Sequence, residues 1–101
     1  MKKEILDCLI EAARRVYCFH DGDLHYSMIF LSYPSHVKLS IKSGYFKPYS
    51  NEIPRVLNWY KLTEKGIEEI KRWGLNKSDF KNYEWTSSAE LKVRKIVYNW
   101  K

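Results

Sequence analysis

The chain has 101 residues, enough to bury one core without staples but too few for two independent lobes. Hydrophobic residues make up 45%, aromatic residues 16% and charged residues 30%, a balance that excludes a disordered tail. The net charge of +6, from 18 Lys and Arg against 12 Asp and Glu, points to a polyanionic partner.

That surplus is unevenly spread. Residues 1–33 carry four basic and five acidic side chains, a net of −1. Residues 34–62 carry Lys38, Lys42, Lys47, Arg55 and Lys61 against Glu52 alone, a net of +4. Residues 63–101 carry nine basic and six acidic side chains, a net of +3. The positive part begins at Pro34, and a surface that faces a polyanion is expected there. Solvated lysines on a soluble domain are the plainer alternative.

From Lys2 to about Cys18, the spacing of Ile5, Leu9, Ala12, Ala13 and Val16 predicts an amphipathic helix. Acidic residues at the start leave no apolar run for an export signal, and the stretch near Ile29–Leu31 is far below the roughly 20 residues of a membrane span. Cys8 and Cys18 on one helix would lie about 15 Å apart, too far to bridge. A reducing, cytoplasmic setting without membrane association is therefore expected.

His20-Asp21-Gly22-Asp23 reads as a turn, with Asp23 capping a second helix that buries Leu24, Met28 and Leu31 and ends at Pro34. Ser35 can cap the next element. Residues 36–43 read two ways. As a helix they face Val37 and Ile41 inward, with His36, Lys38, Lys42 and Ser43 fanning outward and Leu39 left outside. As a strand they put Val37, Leu39 and Ile41 on one face and His36, Lys38, Ser40 and Lys42 on the other, which periodicity slightly favours.

Gly44 is placed to close such a helix. Tyr45–Lys47 reads as a strand, 48–54 as a loop and Arg55–Leu62 as a second strand. Thr63 is the expected cap of a helix running to about Trp73, with Leu62 and Ile67 at staple spacing. Gly66 in its first turn costs roughly 1 kcal/mol relative to Ala, acceptable where another backbone comes close. Gly74 stops the helix. Residues 75–86 look irregular, with room for one helical turn at Ser78–Tyr83, and Ser87 or Ser88 starts a last helix.

At Gly44-Tyr45-Phe46 and Tyr60-Lys61-Leu62-Thr63-Glu64-Lys65-Gly66 the chain resembles the winged helix-turn-helix DNA-binding regulators of bacteria, archaea and their viruses. The likeness spans about residues 24–73, and the second motif is its more specific half. It implies an α+β fold: a winged helix-turn-helix with a two-stranded wing in a core of about 1–74, and an added C-terminal helix over about 87–101. One position departs. The family usually places a core aliphatic residue four before the glycine, where this chain has Ser40.

The resemblance implies a small DNA-binding transcriptional regulator. Its recognition helix would present Ser35, His36, Lys38, Leu39, Lys42 and Ser43 to double-stranded DNA, with Leu39 able to meet a thymine methyl. Its wing would lay Lys47, Tyr49, Ser50, Asn51 and Arg55 along phosphates or the minor groove. The stripe of Ala89, Val93, Ile96, Val97 and Trp100 would pair two copies into a homodimer, or else pack on the first helix of the same chain.

No enzyme, cofactor or metal is expected. Cys18, His20, Asp21, Asp23 and His25 match no common zinc spacing, and Asp-Gly-Asp is ordinary turn chemistry. The glycines at 22, 44, 66 and 74 form no phosphate loop. Two other functions fit the same scaffold. One is a protein-interaction module, such as a small phage-type inhibitor, anchored by Tyr45, Tyr49, Trp59, Trp85 and Trp100. The other is a single-strand or RNA binder that stacks bases on those rings.

Overall fold

A computed structural model of the chain describes residues 1–24, 29–30, 34–48 and 59–99. Among them the fold is α+β, with four α-helices, a three-stranded antiparallel sheet and a separate two-stranded hairpin. No helix of the described residues is long and apolar enough to cross a membrane.

Helix α1 (Lys3–Phe19) buries the expected stripe together with Leu6, Cys8 and Ile10, and forms the spine of the core. On its wetter side Glu11 pairs with Arg14 at 2.8 Å and Arg15 at 3.4 Å. The chain leaves α1 through Asp21 and Gly22, both at positive φ, 52° and 81°.

The helix expected between Asp23 and Pro34 gives way to a strand. Leu24 is buried in a turn, and Ile29–Phe30 form strand β1, paired antiparallel with β3 (Trp59–Leu62). Met28 and Leu31 lie outside the described residues. Pro34 opens helix α2 (Pro34–Lys42) instead of ending a helix. Proline fits the first helical position, where its fixed φ is preorganised and its missing N–H is not needed.

Residues 36–42 are thus helical, and the strand reading falls. Val37 and Ser40 are buried while Ser35, Lys38 and Lys42 are exposed, a three-and-four spacing that a strand cannot produce. The deciding factor is tertiary: α2 packs along α1, which accepts the Val37–Ser40 face. Gly44, at φ +85°, then forms a Schellman close, with Tyr45 N–H donating to the Ser40 carbonyl and Gly44 N–H to that of Ile41, both at 3.0 Å.

Strand β2 (Phe46–Pro48) pairs with β3 in the register Phe46↔Leu62, Lys47↔Lys61 and Pro48↔Tyr60, giving the sheet order β1-β3-β2. Pro48 has no N–H to donate, and an edge strand tolerates it. Thr63 caps helix α3 (Glu64–Arg72) as expected, its hydroxyl accepting from Gly66 N–H at 3.2 Å.

The segment after Gly74 is more ordered than its sequence suggests. Asn76 and Asp79 cap a 3-10 turn at Lys77–Asp79 reciprocally, through Ser78 N–H to the Asn76 side chain (2.9 Å) and Asn76 N–H to the Asp79 carboxylate (2.8 Å). Strands β4 (Phe80–Lys81) and β5 (Glu84–Trp85) come next, joined by Asn82 and Tyr83 at φ 53° and 64°. A two-residue hairpin turn of the primed type needs two such residues, so the helical turn expected over Ser78–Tyr83 gives way to a turn plus a hairpin. Side-chain contacts recover the left-handed cost at Tyr83: its hydroxyl donates to Glu11 at 3.1 Å, and Arg14 lies 5.5 Å from its ring centroid. Phe80 stacks on Tyr17 at 5.5 Å, tying the hairpin to α1.

Thr86, one residue earlier than expected, caps helix α4 (Ser87–Tyr98), accepting from Ala89 N–H at 3.1 Å. Ala89 and Val93 are fully buried in the same cluster as the α1 stripe, and Ile96 and Val97 are half-buried against it. The C-terminal helix is therefore part of the core, not an appendage. A dimer contact through Ala89 and Val93 is corrected: those side chains face the chain's own interior. Trp100 lies outside the described residues.

Candidate nucleic-acid interface

The sequence around Thr63 builds a clasp that fixes the end of α2. The Thr63 hydroxyl donates to the Gly44 carbonyl while accepting from Gly66, and Thr63 N–H donates to the Tyr45 carbonyl at 3.1 Å. Lys65 Nζ donates to the Ser43 carbonyl at 2.6 Å and lies 4.5 Å from the Tyr45 ring centroid, a cation–π distance. A Cβ at Gly66 would run into the Tyr45 carbonyl oxygen and stand 2.9 Å from Leu62 Cδ2, so only glycine lets α3 approach this closely. Burial, with Glu69 nearby, raises the Tyr45 phenol above its ordinary value, and Arg72 opposes that shift.

Four connections therefore join residues 43–45 to the start of α3. They set the angle at which α2 is presented.

On α2 the outward arc carries Ser35, Lys38 and Lys42, all exposed. Neither lysine pairs with a carboxylate of the described residues. The described arginines differ: Arg14, Arg15, Arg72 and Arg94 each pair with a glutamate on their own helix. Lys47 on β2 is exposed and stands opposite Lys61. Leu39 is half-buried against the core, not fully outward, and His36 and Ser43 are half-buried. Tyr49, Ser50, Asn51 and Arg55 lie outside the described residues, so α2 and β2 carry what is known of the basic surface.

Ser40 sits inward, fully buried, four residues before Gly44. Helix α2 keeps its register and accepts a hydroxyl in the core. The polar group beside that hydroxyl is the Cys8 thiol of α1, a weak partner, and no stronger donor or acceptor among the described residues meets it. Burial pushes the Cys8 thiol above its ordinary value; its contact with the Ser40 hydroxyl opposes the shift, and Asp7 and Glu11 add to it. A buried hydroxyl met only by a thiol is poorly satisfied, so Ser40→Ala should stabilise the chain by about 1 kcal/mol. The melting temperature should then rise by roughly 4–8 °C. A lower value would mean that the contact with Cys8 outweighs the cost of burying the hydroxyl.

In the sequence Thr63 is legible only as a helix cap, Lys65 only as a motif residue and Lys61 only as part of the charge surplus; that Thr63 and Lys65 hold α2 in place, and that Lys61 faces Lys47, is not foreseen there. The first two belong to the motif itself and could have been found there. Lys61 needed the strand register. Among the described residues no three His, Cys, Asp or Glu side chains gather as a metal site. His25, one member of the metal-type cluster, lies outside them. The hollow along α3 is lined by Lys65, Glu68, Glu69, Lys71 and Arg72, whose three positive and two negative side chains nearly cancel.

Compared with protein-family models, curated proteins and solved structures, the chain matches none of them.

Proposed function

We propose that this chain is a small winged-helix regulator that binds duplex DNA, with the outward arc of α2 in the major groove and β2 beside the phosphates. One observation carries the reading. Lys38 and Lys42 stand exposed, without a described carboxylate, on a helix whose other face is buried and whose end is clasped to α3. A preorganised helix bearing unpaired positive charge is what a groove rimmed by phosphates attracts. The sheet order β1-β3-β2 sets β2 beside β3, as the two strands of a wing would be, and residues 49–58 between them lie outside the described residues.

The reading differs from a full helix-turn-helix in one respect. Strand β1 occupies part of the segment where the first helix of that pair was expected, so α1 backs α2 directly. If two copies bind adjacent half-sites, they meet through a surface other than Ala89 and Val93.

A second reading has its own observation. Phe19 is 64% exposed and Tyr83 36%, and their rings lie 5.2 Å apart. Such a pair can anchor a protein partner. The rings first considered for that role serve it less well: Tyr45 and Trp85 are half-buried, and the side chains of Tyr49, Trp59 and Trp100 are outside the description.

Titration of the chain against duplex and single-stranded DNA at two salt concentrations separates these readings. Duplex binding that weakens steeply with salt is the expected result. A preference for single strands would favour base stacking, and no binding to either at low salt would leave the protein partner.

A further inference from the structure

We propose that the outward face of the β2–β3 pair is a phosphate-binding site formed by Lys47 and Lys61. The register sets the two lysines directly opposite each other. Phe46 and Leu62, the next pair along, are both buried, and alternation puts Lys47 and Lys61 on the other face. Side chains opposed in this way have Cβ atoms roughly 4.5–5.5 Å apart, and like charges so placed weaken the pairing.

Neither lysine pairs with a carboxylate of the described residues, and Glu52 is the only acidic residue in the whole 34–62 segment. A tetrahedral oxyanion resolves the conflict. Two of its oxygens can each take one ammonium, turning a repulsive contact into two charge-assisted hydrogen bonds. Anion binding is then coupled to the strength of β2–β3 pairing, because the bare protein carries a repulsion that the ligand removes.

The site rests on the duplex reading only for the source of its phosphate. A nucleic-acid backbone and a free polyphosphate offer the same chemistry.

The test uses the full chain, Lys47→Gln and Lys61→Gln, melted at low ionic strength with and without sodium tripolyphosphate. Each variant should melt about 2 °C or more above the wild type, since one charge of the repelling pair is gone. Tripolyphosphate should raise the wild-type midpoint more than sodium chloride of equal ionic strength, and that excess should vanish in both variants. Variants that melt at or below the wild type, or tripolyphosphate that does no more than chloride, would overturn the proposal.

Duplex titration of Lys61→Gln then identifies the source. A log–log salt slope reduced by about 0.9 puts a backbone phosphate on the pair. An unchanged slope, with the tripolyphosphate effect intact, supports the site and assigns it to a free phosphate compound. The duplex reading can therefore fail while the anion site stands.

Discussion

Replacing Gly66 by Ala should destabilise the chain by about 2 kcal/mol, against the roughly 1 kcal/mol that the same change gains in an unconstrained helix. The reversal stems from where the new methyl must go. It meets the Tyr45 carbonyl oxygen, which is backbone and cannot rotate away, and Leu62 Cδ2 at 2.9 Å. To relieve the overlap α3 must lift from the start of β2, and the hydrogen bonds of Thr63 and Lys65 to residues 43–45 lengthen together. For a domain of this size the midpoint should drop by roughly 8–16 °C. Glu68→Ala, exposed on the same helix, is the control and should change little. Equal midpoints for Gly66→Ala and the wild type would show that α3 does not sit this close. The clasp, and the fixed presentation of α2, would then lose their basis.

Val93→Asp should leave the chain unfolded. Val93 is fully buried beside Ala89 in the apolar cluster that contains the α1 stripe. An unpaired ionised group in such a site costs several kcal/mol, comparable with the whole stability of a small domain. The variant also separates two roles for α4. Had Val93 been a contact between copies, the substitution would give a folded monomer with native circular dichroism. Loss of the cooperative melting transition is expected instead.

How far the sequence could be read depended on how local the determining interaction was. The α1 stripe, the Thr63 cap, the Gly44 close and the need for glycine at 66 were all readable, because each is set within a few residues or by one conformational demand. Strand β1 is hidden in the sequence because Leu24, Met28 and Leu31 mimic helical spacing, and the pairing of Ile29–Phe30 comes from β3, thirty residues on. Periodicity left 36–42 undecided, since its alternation and its helical spacing share Val37 and Ile41. Only the α1 surface, which takes Ser40 in place of Leu39, decides between them.

The hairpin at Asn82–Tyr83 was missed for a different reason. Tyr rarely adopts the left-handed region, and what holds it there is Glu11 and Arg14, some seventy residues earlier. The proposed interface is legible in the sequence as charge and not as geometry. The excess of lysines from Pro34 onward is plain in the sequence, but which of them stand exposed and unpaired depends on ion pairs that form only in the fold.

Whether α2 is the groove element is decided by the salt dependence of duplex binding for the wild type and for Lys38→Ala combined with Lys42→Ala. Both positions are exposed, so the double variant should melt within about 1 °C of the wild type while binding more weakly, with a log–log slope shallower by about 1.8. A double variant that binds duplex with wild-type affinity and slope would move the contact off α2 and leave its exposed lysines as ordinary solvated charge.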